Sequence, residues 1–133
     1  MRRLDPPNWL PPKGYTNGIL ADGPVLFVAG QIGWDGQQRL VSDDFAEQTR
    51  QALENIAAVL REGGARPEHI VRMTWYVTDK QAYLAAQRAI GAAYRAVFGT
   101  HYPAMTLVEV ADLLEPGALV EIEATAVLPR AEP

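Results

Sequence analysis

At 133 residues and 48% hydrophobic content, the chain is long enough for one compact domain and too short for two. Its formal charge of -4, with Lys and Arg scattered rather than clustered, creates no field for phosphates, so nucleic acid is not an expected partner. The absence of cysteine removes thiolate catalysis, thiolate metal ligation and disulfides; residues 1–5 lead into prolines, so neither a secretion signal nor a membrane span is expected and a cytoplasmic protein is the default.

Residues 5–12 hold four of the ten prolines, which predicts an extended, non-helical arm over residues 1–13. Trp9 and Leu10 are costly to leave in water, so a frayed arm and a packed arm or lid both stand as readings. Residues 14–19 read as a short strand. The run VLFVAGQI at residues 25–32 is too short for a typical helix and rich in strand formers, predicting a central strand with apolar residues on both faces. Asp35-Gly36 predicts a tight turn into a hairpin arm at residues 39–41, with Trp34 at the corner.

From Asp43 or Asp44 the period becomes helical: Phe45, Thr49, Ala52, Leu53, Ile56, Val59 and Leu60 form one stripe, with Gln48, Arg50 and Glu54 outside it. Asp44 and Glu47 predict a capping box, and Gly63-Gly64 the stop. Residues 71–77 alternate Val71, Met73, Trp75 and Val77 against Arg72, Thr74 and Tyr76, as a strand does. A second helix is predicted after Thr78, whose hydroxyl would cap it near Gln81. It runs to about Phe98, with Tyr83, Gln87, Ile90, Gly91, Tyr94, Val97 and Phe98 on one side and Gly99 as its end. Residues 102–110 read as a proline-led strand paired with the last one, where Val120, Ile122, Ala124 and Ala126 oppose Leu119, Glu121, Glu123, Thr125 and Val127.

This order implies an α+β protein with one mixed sheet and two helices on one face. The other face would display Arg72, Thr74, Tyr76, Glu121, Glu123 and Thr125 beside apolar neighbours. Such a surface suits a wet subunit interface, so a homo-oligomer with sites between chains is expected.

Glu121 and Glu123 project from one side of a strand about 7 Å apart. Two readings stand: a pair dividing acid and base roles, or interface carboxylates paired with Arg72 or hydrated. Tyr15, after Gly14, could present a phenol at a cleft or be a packed aromatic. His69 and His101 lack metal-ligand spacing, so no metal is expected. Gly30-Gln31-Ile32-Gly33 follows a strand but leads into no helix, which argues against a nucleotide loop. Ser42, the one serine, has no histidine pairing that suggests a hydrolase triad.

Several segments, in this order and spacing, are similar to the RidA/YjgF family, often labelled endoribonuclease L-PSP. They are Gly14-Tyr15, Val28-Ala29-Gly30-Gln31-Ile32, Gln51-Ala52-Leu53-Glu54-Asn55-Ile56, Ile70-Val71-Arg72-Met73-Thr74, Tyr94-Arg95-Ala96-Val97-Phe98, Tyr102-Pro103-Ala104, Val108-Glu109-Val110 and Val120-Glu121-Ile122-Glu123-Ala124. The resemblance implies a chorismate mutase-like fold and a homotrimer with small-molecule pockets between subunits. It also implies cofactor-independent hydrolysis of enamines and imines such as 2-aminoacrylate to a 2-keto acid and ammonia.

Carried over by position, the resemblance makes Glu121 the residue that positions water and Tyr15 a catalytic pocket residue. Ala29, Gly30, Gln31, Gly91, Met105, Thr106 and Leu107 become the substrate-binding lining. Ala29 lacks the hydroxyl common at its position, Gly33 replaces a frequent proline, and Met105 stands where the family holds the substrate carboxylate with arginine. A guanidinium makes two charge-assisted bonds to a carboxylate, and a thioether offers only a weak acceptor. The expectation is therefore a divergent deaminase-like hydrolase that turns 2-aminoacrylate over poorly, unless Arg72, His101 or Lys13 supplies a cation. A non-catalytic metabolite-binding trimer is the alternative, and a ribonuclease ranks behind both.

Overall fold

In the computed structural model, which describes residues 1–130, the chain opens with a two-residue strand, Arg2–Arg3 (β1), antiparallel to Ile19–Leu20 (β2). The Leu4 N–H donates to Gly18 O at 2.8 Å, and Asn17 donates from its backbone N and its Nδ2 to Asp5 Oδ1. The start of the arm is thus docked, while Trp9 and Leu10 remain 62% and 91% exposed. Residues 14–19 do not form the expected strand. Thr16 makes only an isolated parallel bridge to Ala104, and Ile19 alone of the six belongs to a strand.

The body comprises Val25–Ile32 (β3), Phe45–Glu62 (α1), a 3₁₀ turn at Pro67–His69, Ile70–Val77 (β4), Lys80–Ala85 (α2), Gln87–Phe98 (α3), Ala104–Glu109 (β5) and Val120–Val127 (β6). The sheet order is β3-β6-β4-β5, with β6 antiparallel to both neighbours and β4 parallel to β5. Two sequence expectations change. The run at residues 25–32 is an edge strand rather than a central one, and β5 does not pair with β6 because β4 lies between them. The cause is the α2–α3 crossover: a parallel return needs a long connection, which sets β5 on the outer side of β4.

One face of the sheet buries Val28, Met73, Trp75, Val77, Ile122 and Ala124 in a core completed by Leu53, Ile56 and Leu60 of α1 and Ile90, Tyr94 and Phe98 of α3. Each of the valine, leucine, isoleucine, methionine and phenylalanine side chains contributes roughly 1.5–3 kcal/mol of burial. A register shift between Ile70 and Arg72 sends Ile70, rather than Val71, fully into this core.

The helix ends also refine the sequence reading. Asp44 caps α1 by accepting the Glu47 N–H at 3.0 Å, but its own N–H donates to Ser42 Oγ, so only half of the capping box forms. Gly64, at φ 74°, turns the chain out, with Ala65 N bonded to Leu60 O and Gly64 N to Arg61 O. Asp79, not Thr78, caps α2 by accepting the Gln81 and Ala82 N–H groups. The single second helix is in fact two, broken at Ala86 (φ -106°, ψ 10°). In the predicted tight turn the left-handed residue is Gln38, and Asp35 accepts the N–H groups of Gln37 and Arg39, giving a longer loop with only a Trp34–Leu40 bridge.

On α1, Gln48 lies inside the protein and Val59 is 38% exposed, reversing the stripe at both positions. Gln48 Nε2 donates to Ser42 O and Gly117 O, and its Oε1 accepts the Leu119 N–H at 2.8 Å. Gly33 makes this contact possible, since a Cβ there would lie 2.5 Å from Gln48 Cα.

Candidate functional site

The outer edge of β5 carries the first half of the site. Thr16 is fixed against it, its N–H donating to Pro103 O at 3.1 Å and its hydroxyl to Tyr102 O at 2.6 Å. That anchoring stands Tyr15, 41% exposed, beside the strand. Gly14 serves backbone conformation (φ 75°) rather than close approach, since a Cβ there would meet nothing within 4 Å. Met105 pairs with Met73 and Leu107 with Trp75, which directs both toward the helical face; Thr106 pairs with Thr74 on the opposite face. A cavity of about 370 Å³ joins Tyr15, Gly91, Met105, Thr106 and Leu107, five of the residues singled out from the sequence.

Aromatic walls complete the cavity. Tyr94 and Tyr102 stack at 5.1 Å and 11°, and Trp75 lies 6.5 Å from Tyr94. The Tyr94 hydroxyl donates to His101 O, and burial first, then the neighbouring Tyr102, pushes the Tyr94 phenol up. Sequence periodicity places Trp75 in the alternation of β4 and Tyr94 in the helical stripe, and nothing in their spacing marks them as walls of this cavity.

Two cations border Met105. Lys13 lines the same cavity, and Arg72 lines an adjoining one of about 220 Å³ with Tyr15, Asn17, Ala104, Met105 and Thr106. Neither forms an ion pair among the described residues. His101 is committed elsewhere, its Nε2 lying 2.8 Å from Ile70 O. His69 is likewise engaged, accepting the Arg66 N–H through Nδ1.

The second half lies on β3 and β6. Their register shifts between Val28 and Gln31, and across this irregularity the Glu121 carboxylate rests on Gly30, where a Cβ would meet Oε2 at 2.2 Å. Gln31 Nε2 donates to Ala29 O at 3.0 Å, so Ala29, Gly30, Gln31 and Glu121 form one local cluster. No hydrogen bond or ion pair among the described residues engages the Glu121 side chain. Glu123 instead accepts the Tyr76 hydroxyl at 2.7 Å, and that bond is the leading cause of Tyr76's raised pKa. Among the described residues of one chain, Arg72 forms no ion pair with either carboxylate.

The two halves do not meet within one chain. Glu121 stands opposite Tyr76 and Met105 opposite Met73, which separates their backbones by about 14 Å from strand spacing and rise. They also face opposite sides of the sheet, Met105 toward the helices and Glu121 away from them.

Residues 8–128 match the family described as Endoribonuclease L-PSP. Over 116 residues the chain is 35% identical to the 2-iminobutanoate/2-iminopropanoate deaminase of Salmonella typhimurium, covering 85% of this chain and 86% of that protein. The human protein of the same name is 31% identical over 114 residues, with 85% and 79% covered. Among solved structures, a protein of unknown function of the conserved Rid family, YyfB from Yersinia pestis, superposes with a TM-score of 0.84 at 35% identity, covering 96% of this chain and 98% of that one.

Proposed function

This chain belongs to the RidA/YjgF family, and from that premise we propose that it is a cofactor-independent imine and enamine hydrolase whose sites are completed between subunits of a homotrimer. The observation that carries the reading is the disposition of Glu121. It is a carboxylate seated on Gly30 with no partner among the described residues, on the face of the sheet away from Met105, so a neighbouring copy is what would bring the halves together.

In this reading Glu121 takes a proton from water as the water oxygen adds to the imine carbon. Glu121 passes that proton to the nitrogen, giving a carbinolamine; as the carbonyl forms, the hydroxyl proton moves by way of the same carboxylate to the nitrogen, the C–N bond breaks and ammonia leaves. Tyr15 orients the reacting group from the other half. Met105 supplies packing and no charge, so a small 2-imino acid loses its strongest anchor, a difference of about 2–5 kcal/mol for a desolvated charge pair. A larger, more apolar imine recovers binding through the aromatic walls.

The missing arginine specifically favours a second reading, a trimer that binds a metabolite without turning it over. Ribonuclease activity draws the least support, because the chain carries a net charge of -4.

The test is ammonia release from imines generated in situ from a series of amino acids. Turnover is expected to be negligible for 2-iminopropanoate and to rise with apolar side-chain size, and Glu121→Gln is expected to lower it by about 10²-fold or more. An unchanged rate in Glu121→Gln removes Glu121 from the mechanism. Absence of turnover across the series, with retained ligand binding, selects the second reading.

A further inference from the structure

We propose that the β-bulge at residues 28–31 is the device that aims the Glu121 carboxylate, with Gly30 as a positioning residue and Gln31 as the clasp that holds the bulge closed. The inference rests on the hydrolase reading of Glu121. It takes Gly30 and Gln31 out of the substrate-binding lining, where the family resemblance places them.

The first observation is the register. Three steps on β3, from Val28 to Gln31, answer two on β6, from Ala124 to Ile122, so Ala29 and Gly30 together stand opposite Glu123. An extra residue of this kind bends its strand and re-aims the side chains beside it. Gln31 Nε2 donates back to Ala29 O at 3.0 Å and spans Gly30, closing the bulge on itself.

The second observation is what lies over Gly30. The three heavy atoms nearest to a Cβ at that position all belong to Glu121: Oε2 at 2.2 Å, Cδ at 2.9 Å and Cγ at 3.0 Å. Two other glycines are closed by main chain instead, since a Cβ at Gly23 would meet Leu128 O at 1.9 Å and one at Gly33 the Gln48 Cα at 2.5 Å. Those two serve the fold, whereas the space over Gly30 is filled by one carboxylate. The φ of Gly30 is not positive, so its backbone conformation does not itself require glycine.

The third observation concerns tethers. The cross-strand neighbours of Glu121 are Ile32, which has no polar side-chain atom, and Tyr76, whose hydroxyl is committed to Glu123. With no hydrogen bond to it among the described residues, the Glu121 carboxylate is aimed by contact with a bare Cα and keeps its lone pairs for water.

Steady-state kinetics test this, on whichever imine generated in situ the wild type turns over fastest. In Gly30→Ala the Oε2 atom must retreat from 2.2 Å to an ordinary contact of 3.4 Å or more. A misplacement of about 1 Å should lower kcat by about 10²-fold and leave KM within about twofold. Gln31→Leu removes the clasp without adding bulk over Gly30, and should lower kcat by about three- to tenfold, again with little change in KM. In a Glu121→Gln background, Gly30→Ala should cause no further loss, because the seat acts only through the carboxylate. A crystal structure of Gly30→Ala should show the carboxylate displaced and the β3–β6 register kept, and thermal melts establish that each variant is folded.

Wild-type kcat in Gly30→Ala overturns the proposal and leaves the hydrolase reading intact, as does a loss that falls on KM. A full further loss in the Glu121→Gln background overturns it too, as does a strand that slips while the carboxylate stays. Wild-type protein that turns over no imine overturns the hydrolase reading and this inference with it, a result told apart because it precedes any substitution.

Discussion

Met105 and Leu107 point to the helical side of β5, so the residue at position 105 shares a cavity with Trp75, Tyr94 and Tyr102. An aryl ring removing about 150 Å² from water gains about 4 kcal/mol, comparable with the charge pair that a methionine cannot form. Met105→Arg should therefore raise kcat/KM for 2-iminopropanoate by about tenfold or more and lower it for aryl imines. Recovery should be incomplete, because Ala29 still lacks a hydroxyl. A folded Met105→Arg protein with no gain on the small imine would show that position 105 does not meet the substrate carboxylate. The phenols at this scale bear on stability. Burial raises Tyr94, and the bond to Glu123 raises Tyr76, so the folded protein keeps those protons where the unfolded chain begins to lose them. Their contribution is complete below the ordinary phenol value of about 10 and is lost as pH rises through the raised folded values. Melting temperature should fall steeply in that alkaline window, and Tyr94→Phe should flatten the fall. Parallel slopes for the two proteins would exclude Tyr94 as its source.

Among the elements, α1 shows what a local pattern can and cannot reveal. Its period, its Asp44 cap and its glycine exit are local properties of the sequence, and all are found in the structure. Gln48 breaks the pattern because the backbone groups it satisfies at Gly117 and Leu119 lie 69 and 71 residues away. Gln48→Leu should thus leave Ser42 O, Gly117 O and the Leu119 N–H without their partner and cost about 3 kcal/mol or more in urea unfolding. A cost below about 1 kcal/mol would mean that water replaces the amide. The strand order was illegible for a related reason: alternation assigns residues to faces but says nothing about neighbours, so β6 was not expected to enter between β3 and β4. The break at Ala86 was hidden too, since alanine is a good helix former and only the φ and ψ of that residue mark the break. Of the cavity lining, Tyr15, Gly91, Met105, Thr106 and Leu107 were nameable from the family resemblance. The seat of Glu121 on Gly30 was not legible, because it exists only where the bulge brings β3 against β6.

For the molecule as a whole, the open face of the sheet sets the central question. Phe27 is 78% exposed there, beside a cavity of about 390 Å³ lined also by Ala29, Arg72, Thr74 and Glu123. A surface that mixes an exposed aromatic with unpaired charge is suited to a neighbouring subunit. In the proposed trimeric hydrolase, Phe27→Glu should shift sedimentation equilibrium from trimer toward monomer and abolish turnover, even though Tyr15 and Glu121 are untouched. A stronger test follows from the separation of the halves on opposite faces. Tyr15→Phe and Glu121→Gln should each be poorly active alone. Co-expressed, they should assemble mixed rings in which some junctions combine an intact Tyr15 from one subunit with an intact Glu121 from the next. In a cyclic arrangement with equal, random mixing, about one junction in four is restored, so activity should return to about a quarter of wild type. If both halves of every site came from one chain, no mixture could exceed the activity of its parents. Ammonia release from the co-purified mixture therefore distinguishes a shared site from a site contained in a single protomer.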